Sequence, residues 1–354
     1  MYTLYFTILL FAILAFILCK NGNVKKNRTY LIVCFSIMLL LHAFFNPEYF
    51  DNYWYKMGFY EYKSMSLVSV INENAPSLKA ETGYRILCKI ITFITSDWRF
   101  AMFIIGAIML SGYYLTSKLY SNMVWLSVLI IMVDPFLQSL FVLRQHLAMG
   151  IILLSYYFVI NRRIIPYLLI CFLAISIHQS AAVFLPIYFI YNLQLNIKIH
   201  LLFIIIAIIL YYNFAYFLTT GASFAMATAS YDEHFFEYDL QQGTNSKMAI
   251  LLSVLLLLRI FLLKGDFYKE GINKLLSIIL ILGTTISIIG TGFVGTSRLN
   301  MYYSSASFLL IPNTLEYVRH KNVRTLYGIL YFLFLLYFFV KNIETQDLKE
   351  FWFF

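Results

Sequence analysis

The chain has 354 residues, 61% of them hydrophobic, 19% aromatic and only 12% charged, with a formal net charge of +9. Soluble domains carry about 25% charged residues, so a globule of this composition would lack the polar cover its surface needs, and a disordered chain needs the opposite balance. The basic excess does not form a nucleic-acid stripe either, because Lys and Arg gather at the ends of apolar runs, where they meet anionic lipid.

The pattern predicts an all-α, polytopic integral membrane protein. A bilayer core of about 30 Å takes about 20 helical residues per crossing. Residues 2–18 and 30–45 are the first two apolar runs. The first lacks a basic flank and a small-residue cleavage site, so it reads as a spanning helix rather than a cleaved signal. Residues 46–98 then form a long polar and aromatic outer segment. Inside it, residues 86–95 are too short to cross and carry Lys89, which predicts a short interfacial or re-entrant helix. Further crossings fall at 99–116, 124–141 and 147–160. His178, Gln179 and Ser180 interrupt the run 166–192, and two short helices meeting there satisfy these groups better than one tilted helix. A crossing at 200–218, a second outer segment at 219–247, and crossings at 248–263, 274–289, 299–315 and 325–340 complete the chain. The total is about twelve crossings, in a range of about ten to fourteen, forming a single transmembrane domain over residues 1–354. The four cysteines, Cys19, Cys34, Cys88 and Cys171, have no metal-site spacing and read as small buried apolar residues.

Charge placement orients this topology. With the amino terminus outside, the inner loops hold fifteen of the 26 Lys and Arg residues against three acids, a net +12, and the outer segments net −3. The bias matches the positive-inside rule. Both long loops then face outward, so the working face is expected there.

Four groups of polar residues stand where they are expensive. Arg144, Gln145 and His146 open a crossing just after Asp134-Pro135, where proline is expected to bend or end the preceding helix. A guanidinium fork beside first-turn N–H groups suits phosphate; the plainer reading is an arginine snorkelling to lipid. His178 and Gln179 sit at the expected helix break, as cavity groups or as interhelical hydrogen bonders. Gly290, Gly292 and Gly295 form a turn that delivers Arg298 at the start of a helix; without a Lys-Ser/Thr ending it is no P-loop. The outer carboxylates are Asp51, Glu81 and a late group, Asp232, Glu233, Glu237 and Asp239, around His234. They can take a proton from a hydroxyl or simply solubilise a loop. His234 has no second histidine at ligand spacing, and no metal is expected. Tyr49, Tyr53, Trp54, Tyr55 and their neighbours form an interfacial belt, a platform for sugar rings or a lipid head group, or both.

These residues carry a resemblance. Asp51-Asn52-Tyr53, Glu81-x-Gly83-Tyr84, Arg144-Gln145 with Ala148, Ile177-His178-Gln179-Ser180-Ala181 and Ser297-Arg298-x-x-x-Tyr302, in that order, resemble the EpsG family of bacterial multi-pass proteins, related to the Wzy polymerases of exopolysaccharide, capsule and O-antigen assembly. The resemblance implies a glycosyltransferase-type polymerase that joins undecaprenyl-pyrophosphate-linked oligosaccharide repeat units at the outer face of the bacterial cytoplasmic membrane, without cofactor or metal. Arg144 and Arg298 are then expected on the pyrophosphate. Glu81, with Asp51 as the second choice, is expected to take the acceptor proton, and His178 to hold a phosphate oxygen or a sugar hydroxyl. Gln145, His146, Gln179, Tyr53, Tyr84 and Tyr302 are expected to contact glycan or lipid. Direct attack implies inversion at the anomeric carbon. Implied partners are the donor and acceptor glycolipids and the bilayer, with a chain-length regulator and a flippase as candidates and no nucleic acid. The competing classes are a lipid-linked glycan flippase or transporter, a related ligase or acyl transferase, and a scaffold.

Overall fold

The computed structural model describes residues 2–19, 22–46, 51–193, 246–263, 269–289 and 294–345, with a few positions between 202 and 209 and residue 266. The crossing expected at 200–218, the late acidic loop with His234, and the Gly290–Gly292 turn lie outside the described residues. Among the described residues the structure is helical, with one isolated β-bridge between Ala75 and Leu78.

The chain divides into two units, residues 1–185 with 311–354, and residues 186–310. The first contains α1 (Tyr2–Cys19), α2 (Val24–Ala43), α3 (Asp51–Ser64), α4 (Leu67–Asn72), α5 (Thr82–Ile94) and α6 (Trp98–Tyr120). It continues with α7 (Val124–Ser139), α8 (Leu143–Ile160), α9 (Ile164–Ile177) and a 3-10 segment, Gln179–Phe184. The second unit contains α10 (Pro186–Asn192), α11 (Ser246–Leu263), α12 (Ile272–Ile289) and α13 (Val294–Ser304). The chain then runs through α14 (Ser307–Leu315) to α15 (Lys321–Thr345). Among the described residues, α6, α8 and α12 are long and apolar enough to cross a membrane, and 3–19, 124–139, 164–177 and 252–263 are shorter apolar helices.

Helices in lipid gain little from burying apolar surface against each other, so close packing of small residues holds them together. In the first unit α6 meets α2 at Gly106 and α8 at Gly112. A Cβ on Gly106 would stand 2.7 Å from His42 Nδ1, and one on Gly112 would collide with the backbone oxygen of Gly150. His42 Nδ1–H donates to Met102 O at 3.1 Å, adding a polar tie inside this seam. The seam fixes where α8, and so Arg144, begins.

Proline does not end α7. Residues Met132–Phe136 form a π-turn with Pro135 inside it, and the helix runs on to Ser139. The wider turn accommodates a ring that has no N–H to donate. Asp134 accepts from Gln138 Nε2 at 2.6 Å one turn later.

The segment expected as a polar outer loop is itself helical, and α5 starts four residues earlier than the predicted short helix. Two α5 side chains explain its order. Arg85 and Lys89, one turn apart, are only 6% and 8% exposed. Arg85 Nη2 donates to Ile71 O at the end of α4 (2.8 Å) and to Thr82 Oγ1 (2.7 Å). Lys89 Nζ donates to Lys63 O (3.0 Å) and Met65 O (2.6 Å) at the end of α3. Carbonyls at helix C-termini have no partner within the helix and carry partial negative charge, so two cations on one face of α5 bind both ends. Tyr62 donates to Leu78 O at 3.0 Å, and Ser77 gives both its N–H and its hydroxyl to Glu61 Oε2, at 3.0 and 2.6 Å. The result is a folded platform on a polar, aromatic stretch.

In the second unit Arg259, fully buried, ties α11 to α12. Its Nη2 donates to Asn273 O (3.0 Å) and Asn273 Oδ1 (3.2 Å), and its Nε to Ser277 Oγ (3.2 Å). Residues 299–315, expected as one crossing, belong to α13 and α14, separated by a turn at Ser305 and Ala306.

Candidate functional site

The site is assembled from four pieces of the first unit. Arg144 is the second residue of α8, just after the turn that follows α7. Asn52 of α3 donates through Nδ2 to Leu140 O in that turn, which fastens α3 beside it. Glu81 occupies the N-cap of α5, but its side chain does not cap its own helix. It reaches across instead, and one carboxylate oxygen meets Arg144 Nη1. The other accepts from His178 Nδ1 at 3.0 Å and from the Gln179 N–H at 3.1 Å. His178 is the extended residue (φ −153°) that ends α9, so the helix break expected from its sequence puts its ring and the next N–H on one carboxylate.

Local sequence explains the reach. A Cβ on Gly83 would collide with Ser176 near the end of α9. The missing side chain lets α5 start against α9, and that contact places Glu81 between His178 and Arg144. Tyr84 is fully buried, its ring centroid 5.9 Å from that of Tyr55. The Tyr55 ring in turn lies 5.7 Å from the Arg144 guanidinium carbon, and Arg144 Nε points to the Tyr55 hydroxyl at 3.5 Å. Cation–π and polar contacts of this kind hold a guanidinium in one orientation.

The charges follow from these contacts. Burial alone would raise the Glu81 carboxyl. The His178 hydrogen bond, the Arg144 charge and the Gln179 N–H outweigh it and hold it at about 2, below its usual 4.5. An ionised carboxylate only accepts, so His178 Nδ1 carries the proton of this bond. The Tyr55 hydroxyl is pushed up by burial against the pull of Arg144, and stays a neutral donor. The side chains of Arg144, Glu81 and His178 keep 21%, 15% and 19% of their exposure, so the cluster is partly open.

A cavity of about 350 Å³ opens beside it, lined by Asp51, Trp54, Tyr55, Ser77, Leu78 and Arg144. Asp51 is exposed and, among the described residues, forms no ion pair. The structure therefore brings Arg144, Glu81, His178 and the Gln179 backbone into one network, and Asp51 lines the same cavity as Arg144. Tyr53 is at the surface, edge-on to Trp54 at 5.2 Å. Gln145 and His146, expected at the glycan, are fully enclosed in the α8 packing, His146 with its Nδ1 on Val142 O at 2.9 Å. Tyr302 is buried in the second unit. Arg298 is exposed there, in the second turn of α13 rather than at its start. Trp54 and Tyr55, expected only as part of an aromatic belt or platform, line the cavity itself, and Ser77 had no assigned role on sequence grounds. Their signal was helical spacing: Asp51, Trp54 and Tyr55 stand at i, i+3 and i+4, one face of a helix.

Fold and site together define a multi-pass, all-helical membrane protein with a partly open ionic cluster. The chain belongs to the EpsG family, a family related to Wzy-type polymerases, whose model matches residues 27–353. No curated protein and no solved structure matches the chain.

Proposed function

We propose that the protein polymerises undecaprenyl-pyrophosphate-linked oligosaccharide repeat units at the outer face of the bacterial cytoplasmic membrane, through about twelve crossings. Membership of the EpsG family and the all-helical membrane fold support this reaction class. The observation that carries the reading is the guanidinium of Arg144, clamped by Glu81 and Tyr55 at the edge of an open cavity that also holds a carboxylate.

In the reaction, an acceptor hydroxyl oxygen attacks the anomeric carbon of the donor glycan. The bond from that carbon to the pyrophosphate oxygen breaks, and the leaving group departs with the electron pair. Arg144, with Arg298 as the second cation, stabilises the developing charge by donors that need little reorganisation. Two guanidinium groups supply the charge a metal would, so chelators leave the reaction unchanged. Glu81 is the preferred base on sequence grounds. Both Glu81 oxygens are engaged, one by Arg144 Nη1 and the other by His178 Nδ1 and the Gln179 N–H, so Glu81 fits a positioning role, and Asp51, which lines the cavity, takes the proton. His178 uses its other nitrogen on a phosphate oxygen or a sugar hydroxyl. One direct displacement inverts the anomeric centre.

The test is reconstitution of the full chain in liposomes with a purified lipid-linked repeat, read as a glycan ladder. The wild type extends the ladder; correctly inserted Arg144→Ala and Arg298→Ala variants do not. Lipid that moves between leaflets without lengthening would reject polymerisation in favour of transport. Retention of anomeric configuration would reject the single displacement.

A further inference from the structure

We propose that the cavity beside Arg144 is a subsite for a sugar ring of the acceptor glycan, with Trp54 as its stacking face and Asp51 as its hydroxyl acceptor. The inference rests on the polymerase reading for which glycan arrives, but its geometry stands alone.

Charge comes first. Arg144 lines the cavity, yet its charge is already matched by Glu81, which lies within hydrogen-bond reach of Nη1. Among the described residues that line it, the other charged side chain is Asp51. A neutral polyol meets an acceptor for its hydroxyl protons.

Shape points the same way. Trp54 is 51% exposed and lines the cavity, so its indole face is not absorbed by the core. Its edge-to-face contact with Tyr53 (5.2 Å, 82°) fixes its orientation. Tyr55 forms a second aromatic wall, held from behind by Tyr84. An aromatic face beside a carboxylate suits a pyranose, which is apolar on its C–H faces and polar at its rim. The opposite wall, Ser77 and Leu78, is pinned by the Glu61 and Tyr62 hydrogen bonds, so the cleft is preformed. At about 350 Å³ it is at the small end of ligand sites, about 300–1,000 Å³. It takes one or two rings, not a whole repeat unit.

Position selects the acceptor over the donor. The carboxylate that removes a proton must touch the attacking hydroxyl, and here it shares a cavity with the ring that carries it.

The test uses the full chain in nanodiscs and the lipid-free oligosaccharide repeat released from the carrier lipid of the same cells, read by saturation-transfer NMR. Protons of one ring are expected to take up saturation. Trp54→Ala weakens binding about tenfold, Asp51→Asn weakens it, and Trp54→Phe, which keeps an aromatic face, stays within about twofold of wild type. Excess inorganic pyrophosphate does not displace the sugar. Equal binding by wild type and Trp54→Ala overturns the subsite and reduces Trp54 to a lipid anchor. So does full displacement by pyrophosphate, or absence of sugar binding to the wild type. Trp54-dependent binding together with a missing glycan ladder supports the subsite while rejecting polymerisation.

Discussion

Two arginines, one enclosed and one half-buried, separate structure from chemistry. Arg259 in α11 is fully enclosed and gives its N–H groups to Asn273 and Ser277 on α12. Arg144 in α8 keeps a fifth of its exposure, rests on a carboxylate and an aromatic ring, and looks into a cavity. Both are costly cations in an apolar chain, and both have polar partners. Burial therefore does not mark the site. What marks it is a partner that another anion can replace, at a place another anion can reach. Arg85 and Lys89 fall on the structural side of the same line, because helix-end carbonyls hold them.

Substitutions can break this contrast. The largest effect is expected at Arg144. Its replacement by alanine is expected to lower glycan elongation at least about a hundredfold, roughly 3 kcal/mol of transition-state stabilisation, while the purified protein melts near the wild-type temperature. The same change at Arg259 should do the reverse. It is expected to cost roughly 3 kcal/mol of stability, seen as a lower melting temperature in detergent, with elongation per folded molecule within about threefold of wild type. If Arg259→Ala stops elongation in folded protein, the division between the two arginines fails.

The seam that places α8 gives a third comparison. Gly112→Ala puts a methyl into the Gly150 backbone, which cannot rotate away, and roughly 2 kcal/mol of destabilisation is expected. Gly22, at positive φ with open space around it, tolerates added volume but not an L-residue's preferred backbone. Asparagine at 22 should therefore cost less than alanine at 112, and thermal melts of both variants check the order.

The smallest expected effect is a pH dependence. The Glu81 carboxyl lies lower in the folded chain, about 2, than its usual 4.5. The unfolded chain then binds the proton first as pH falls, so the stabilisation is complete above pH 4.5 and is lost as pH drops towards 2. Wild type and Glu81→Gln should differ by roughly 2 kcal/mol and by a constant amount between about pH 5 and 8. The gap should close below that range. A gap that changes between pH 6 and 8 would mean that His178, not Glu81, controls the cluster.

Much of the site was legible without coordinates, and the reasons are local. Arg144, Glu81 and His178 announce themselves because a polar group beside a long apolar run needs a partner, and each stands at a helix end. Three positions were not legible. Gln145 and His146 look equivalent to Arg144 in a row of polar letters, but successive helix residues are about 100° apart and these two turn into the packing. Sequence leaves Glu81 and Asp51 both open as the base, because a carboxylate near an arginine fits orientation and proton transfer equally, and the contacts of Glu81 with His178 and the Gln179 N–H are what favour a positioning role in the proposal. Residues 51–64 read as a loop because aromatic and polar residues dominate them. They fold as α3 because Lys89, 25 or more positions later, binds the helix end.

Composition determined that this chain belongs in lipid, and the order of its residues determined the break at His178 and Gln179 and the cations and acids that stand beside the apolar runs. Hydropathy and helical period are properties of neighbours in sequence. The tertiary structure decided which of those charges meet. Glu81 lies 63 residues from Arg144 and 97 from His178, and only the close approach of α5 to α9 at Gly83, and of α6 to α8 at Gly112, joins the three into one cluster.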